Sequence, residues 1–113
     1  YKVGDKEYFN ERPISTQQTA FTFVAQMRAE LPDAIGGVLW FGADDANMTV
    51  FAPVYCCTDR IPDCYSGKEA DCVTFSWNSA FWIYNWVADM IRPRYSLMIE
   101  DMRAVQNKFG GYL

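Results

Sequence analysis

The chain contains no histidine. That absence removes the Ser-His-Asp and Cys-His triads, the zinc-protease helix motif and every histidine-ligated metal centre. Basic residues are also few: Lys and Arg total 10 against 14 Asp and Glu, for a net charge of −4. A nucleic-acid footprint needs a basic face, so DNA and RNA are not expected partners. No long apolar run is present either. The richest stretch, Phe75 to Ile91, is interrupted by Asn78, Asn85 and Asp89, and it falls short of the roughly 20 apolar residues of a membrane span. What the sequence does hold in quantity is apolar surface. Half of its 113 residues are hydrophobic and 17% are aromatic, with eight Phe, seven Tyr and four Trp, a composition that argues for one buried core and against disorder.

Charge is distributed unevenly. Glu30 to Asp71 carries eight acids against Arg60 and Lys68, whereas Arg92 to Lys108 carries four bases and two acids, which reads as a solvated acidic middle and a mildly basic end. The first residue is Tyr1 rather than Met, from which a processed product or a piece of a longer protein is expected.

The order of elements reads as strands followed by helices. Lys2 to Pro13 is expected to be extended, since Arg12 precedes a proline. Ser15 to Arg28 fits both a helical stripe and period-two alternation; its Thr, Phe and Val content favours a strand. Val38-Leu39-Trp40-Phe41 and Met48 to Tyr55 read as a hairpin around the polar turn Asp44, Asp45 and Asn47, with Trp40 in the core and Pro53 on an edge strand. Cys56 to Asp71 has no periodicity and reads as a loop. Ser76 is placed as the cap of a helix carrying Phe81, Trp82, Ile83, Tyr84, Trp86, Val87, Met90 and Ile91, apolar nearly all round and so expected to be covered on two sides. Pro93 breaks it, and Tyr95, Met98, Met102, Val105 and Phe109 mark a one-sided second helix that ends at Gly110-Gly111. The fold class is therefore α+β, a single unit over residues 1–113 with strands in about 15–55, a loop in 56–75 and helices in about 76–109.

Four cysteines, Cys56, Cys57, Cys64 and Cys72, fall within one segment. Zinc thiolate sites show paired C-x2-C spacing, which is missing, so no metal site is expected; a disulfide and free thiols remain open. A Cys57–Cys72 bridge would close the loop, stabilise by about 3 kcal/mol and imply an extracytoplasmic compartment, the cytoplasm being the alternative. Cys57-Thr58 is a nucleophile only if cleavage frees the cysteine amine. Asp44-Asp45 reads as a solvated turn in preference to an acid-base pair. Arg92 and Arg94 read as complements to a helix dipole in preference to an anion clamp. Trp77, Trp82 and Trp86, with Met90, Met98 and Met102, read as core. Asn47-Met48-Thr49 matches a glycosylation acceptor, a weak pattern.

Several runs resemble one family. Arg12-Pro13-Ile14-Ser15-Thr16-Gln17-Gln18-Thr19, Leu31-Pro32, Ile35-Gly36-Gly37-Val38-Leu39-Trp40-Phe41-Gly42 and Ser79-Ala80-Phe81-Trp82 are similar to the cysteine dipeptidases among the N-terminal-nucleophile hydrolases. So are Ala52-Pro53-Val54-Tyr55, Ile61-Pro62-Asp63-Cys64, Arg94-Tyr95 and Met98-Ile99-Glu100-Asp101, which extends the likeness from about Asn10 to Gln106. The resemblance implies part of a four-layer αββα sandwich, dipeptide substrates, no cofactor, and a mature N-terminal cysteine whose own α-amine is the base, chemistry that needs no histidine. No position here matches the nucleophile strand, so no catalytic residue is carried over and the chain alone is expected to be inactive. A non-catalytic structural or binding domain is the alternative. Removed from the other layers, such a piece would expose an apolar face and self-associate or contact the missing remainder.

Overall fold

A computed structural model of the chain describes residues 1–9, 11–68, 70–71 and 73–110. The N-terminal segment, expected to be simply extended, instead folds back as a small hairpin. Strands β1 (Lys2–Val3) and β2 (Lys6–Glu7) pair antiparallel around Gly4, whose φ of 61° is the left-handed conformation that glycine accepts without penalty.

The main sheet has three antiparallel strands in the order β3-β4-β5: β3 (Phe21–Met27), β4 (Gly37–Ala43) and β5 (Ala52–Tyr55). Seven residue pairs align β3 with β4, from Phe21 opposite Ala43 to Met27 opposite Gly37, and β5 adds Val38 opposite Tyr55 through Phe41 opposite Ala52. Branched and aromatic residues dominate all three strands, which is why the strand reading wins over the helical one at Phe21–Met27. Pro53 lies on an edge strand, opposite Trp40, the kind of position in a sheet where a residue without an N–H is tolerated. Met48 to Phe51, expected to belong to the second strand of the hairpin, runs outside it. Between β3 and β4 the Leu31-Pro32-Asp33 turn leads into a single helical turn, α1 (Asp33–Gly36). There a Cβ on Gly36 would stand 3.0 Å from the Arg28 carbonyl oxygen. The long loop contains one 3-10 turn, Asp63–Tyr65.

Helix α2 (Ala80–Ile91) is capped by Ser79, whose Oγ accepts from the Trp82 amide at 3.4 Å. The expected cap, Ser76, serves the turn before the helix, accepting from the Asn78 amide. A 3-10 turn at Arg92–Arg94 carries Pro93 and leads directly into α3 (Tyr95–Gly110), so the proline breaks the helix where expected. That helix still includes Gly110, the last described residue, and the rest of the expected Gly110-Gly111 stop lies outside the described residues.

The buried core sits between the helices rather than under the sheet. Met48, Ala88, Ile91, Ile99 and Met102 form it, with Val50, Tyr84, Val87 and Met98 packed around. Much apolar surface stays outside. Phe21, Phe23, Val24 and Met27 of β3 are all more than half exposed, and the radius of gyration, 17.4 Å, exceeds the roughly 13 Å of a compact chain of this length. Trp40 is half-buried rather than in the core, with its Nε1 donating to Gln26 Oε1 at 3.1 Å. The tryptophans expected in the core are mostly outside as well: Trp77 is 63% and Trp86 47% exposed, while Trp82 is half-buried. They pack on one another instead, Trp77 edge-on to Phe75 at 4.8 Å and to Trp86 at 5.3 Å. Of the three methionines, Met102 is buried, Met98 half-buried and Met90 exposed. Only one face of α2 is covered here, although its sequence is apolar nearly all round.

Candidate functional site

The densest polar cluster lies where β4 ends. Asp44 is the one non-glycine residue with positive φ, 64°, among the described residues; Asp tolerates this conformation better than most, yet it remains a strained one. The turn is real but it is not solvated: Asp44 is 1% and Asp45 5% exposed. Burying two adjacent carboxylates demands compensation, because an unpaired charge in a low-dielectric interior costs several kcal/mol, of order 3–5 when a partner is removed.

Compensation comes from elements far away in sequence. Arg92, in the 3-10 turn between the helices, places Nη2 at 3.2 Å from Asp45 Oδ2 and 3.9 Å from Asp44 Oδ2, and pairs through Nη1 with exposed Asp89. Asn85 of α2 donates to Asp44 Oδ1 at 3.1 Å. Asp45 Oδ1 accepts from the Asn47 amide at 3.0 Å and from the Ser15 hydroxyl. Asn47 Nδ2 donates to the Tyr95 hydroxyl at 2.8 Å, and Gln106 of α3 donates to the carbonyls of Asn47 and Thr49. The Asp44 amide itself donates to the Ala20 carbonyl just before β3. One six-residue turn is thus fastened to the N-terminal segment, to both long helices and to the break between them.

Arg92 is therefore a clamp on two carboxylates rather than a complement to a helix dipole, whereas Arg94 makes no ion pair among the described residues. The sequence singled out Asp44, Asp45, Asn47 and Arg92 but did not join them, and it gave Ser15, Asn85, Tyr95 and Gln106 no part in a site. One signal was available: a cation beside a proline between two apolar helices is held close to the core by the chain itself. The sequon residues Met48 and Thr49 are buried, and Asn47 is engaged with Tyr95. Those contacts fit packing, not modification.

The chemistry open to this cluster is narrow. Ser15 has a carboxylate neighbour, but both oxygens of Asp45 are already engaged, Oδ1 by Ser15 and the Asn47 amide and Oδ2 by Arg92. Asp44 Oδ2 is buried without a hydrogen-bond partner among the described residues, and the guanidinium of Arg92 stands 3.9 Å away. This is an arrangement that positions chain, not one that moves protons.

Among the cysteines, Cys56, Cys57 and Cys64 are exposed free thiols. Cys72, the expected partner of Cys57, lies outside the described residues. Cys56 Sγ rests 3.7 Å from the Gly37 carbonyl oxygen, and no group of three or more His, Cys, Asp or Glu among the described residues is arranged to hold a metal. No helix is long and apolar enough to cross a membrane among those residues.

Two tyrosines tie the loop to α2. Burial pushes the Tyr65 phenol up to about 12, aided by the negative potential of Tyr84 and Cys64 and by its hydrogen bond to Tyr84. Burial also raises Tyr84. Beside Tyr65, a pocket of about 410 Å3 opens between the sheet face and the loop, walled by Leu39, Phe41, Val54 and Ile61 with Arg60 in its lining. A second groove, of about 570 Å3, runs between the helices past Val50, Tyr84, Val87 and Met102.

No curated protein and no solved structure matches this chain. A family model does, across nearly the whole sequence, residues 2–108. The segments that hold the buried turn, the loop, α2 and all but the last two residues of α3 fall inside that match, and the chain belongs to peptidase family C69.

Proposed function

We propose that this chain is an interior-to-late part of a peptidase that hydrolyses dipeptides through an N-terminal cysteine lying outside these residues, within an αββα sandwich. The family match over residues 2–108 carries the reading. The chain's own chemistry supports it. Peptide hydrolysis needs a nucleophile, a base in contact with it and donors for the developing oxyanion. With no histidine, an internal cysteine here lacks the imidazole that usually serves as that base, and the three described thiols are exposed. An N-terminal cysteine escapes this limit, because its α-amine takes the thiol proton while sulfur attacks the scissile carbonyl. The amine product then leaves, and water cleaves the resulting thioester.

On this reading the residues described here serve as scaffold and substrate wall. The exposed faces of β3 and of α2 are the surfaces that the remaining layers would cover, which also makes self-association the expected behaviour of the isolated piece. An extracytoplasmic compartment belongs to the same proposal, and thiol labelling of non-reduced protein tests it: Cys57, a free thiol in this structure, would be oxidised with Cys72 in such a compartment, leaving two reactive thiols, and four reactive thiols exclude it. The function itself is tested by assaying a dipeptide panel with the full-length parent. Hydrolysis that is lost when the mature N-terminal cysteine is replaced by alanine supports the proposal, and a parent that cleaves no dipeptide refutes it.

A further inference from the structure

The pocket beside Tyr65 combines an apolar wall with a cationic side chain. Its walls are apolar, with Leu39 and Phe41 from β4, Val54 from β5 and Ile61 from the loop, and its lining also includes the guanidinium-bearing Arg60. The ring of Tyr65 stands edge-on to Phe41 at 5.9 Å and closes one side. A volume of about 410 Å3 is in the range of small-molecule sites. Phenol burial and the bond to Tyr84 hold that wall in place, since the loop is fastened there to α2.

Arg60 is the informative residue. Asp59 is its neighbour in sequence and Asp63 lies three residues on, yet it pairs with neither, and it makes no hydrogen bond among the described residues. The ion pairs in those residues belong to Arg92 and Arg103. A guanidinium presents a planar fork that suits a carboxylate in two-point contact, and an apolar wall beside it raises the value of that contact by lowering the local dielectric. We propose that this pocket binds the C-terminal residue of a peptide, with an apolar side chain between Leu39, Phe41, Val54 and Ile61 and the free carboxylate on Arg60. The choice of a peptide as ligand rests on the peptidase reading above; the pairing of an apolar side chain with an anion rests on the pocket alone.

The test is equilibrium binding of N-acetyl-L-phenylalanine and of its C-terminal amide to this chain, followed by calorimetry and by NMR shifts of the pocket residues. The acid is expected to bind at least tenfold more tightly than the amide, with shifts at Leu39, Phe41 and Ile61. Arg60→Gln should abolish the difference between the two probes, and Arg60→Lys should retain part of it. Arg60 is exposed, so neither variant threatens the fold. Equal binding of acid and amide would overturn the assignment of Arg60, and no binding of either would overturn the pocket. Dipeptide turnover by the parent reports separately on the peptidase reading, so either can fail without the other.

Discussion

Replacing Arg92 with methionine isolates the interaction that organises the molecule. The substitution keeps the length and the apolar stem of the side chain but removes the cation from two carboxylates that are 1% and 5% exposed. Breaking a buried ion pair from one side costs about 3–5 kcal/mol, because the remaining charge stays desolvated. The Arg92 side chain is itself 22% exposed, and water reaching it softens the loss, which places the expected cost near the lower bound, about 3 kcal/mol. That is a large part of the roughly 5–15 kcal/mol available to a domain. Urea unfolding followed by far-UV circular dichroism reads it as a lower midpoint at unchanged slope. In an Asp44→Asn/Asp45→Asn background the same change should cost at least about 2 kcal/mol less, since coupled neighbours are not additive. Asp89→Asn, which removes the exposed partner, should cost less than about 1 kcal/mol. An Arg92→Met variant within about 1 kcal/mol of the parent chain would refute the reasoning, for that is the range of exposed pairs.

Three further outcomes follow from the same geometry. Gly42→Ala puts a Cβ 2.5 Å from Thr49 Cγ2 and 3.2 Å from Thr22 Cγ2; in a buried setting this should destabilise by about 1–3 kcal/mol, and Thr49→Ser, which deletes the first of those methyl groups, should recover part of the loss in thermal melts. Tyr65 releases its proton near 10 in the unfolded chain and near 12 in the folded one, so its contribution is complete below pH 10 and is lost as the pH rises towards 12; stability of the native chain should fall across that window more steeply than that of Tyr65→Phe, with tyrosinate absorbance rising late. Sedimentation at tens of micromolar should show self-association through the exposed faces, and a monodisperse monomer would contradict it.

How far the sequence could be read depended on how far each interaction reaches. The β4–β5 hairpin was legible because Val38 to Phe41 and the residues from Ala52 to Tyr55 carry strand preference in their own side chains, and the helix break was legible because Pro93 enforces it locally. The cap was not, since Ser76 and Ser79 precede the same apolar run and only the path of the chain before the helix decides between them. Asp44 and Asp45 were read as solvated because a pair of acids in a turn ordinarily is. Their burial depends on Asn85 and Arg92, more than forty residues later. Trp77 and Trp86 failed for a related reason: a ring that looks like core remains exposed when nothing among the described residues covers that face.

The most direct measurement compares the full-length parent with this chain on one dipeptide panel, with a Cys56→Ser/Cys57→Ser variant of the chain alongside. Turnover by the parent and none by the isolated chain is the expected result, because the nucleophile and its base are proposed to lie outside these residues. Turnover by the chain that disappears in the double variant would contradict it and would make the exposed cysteines of the loop the reacting groups.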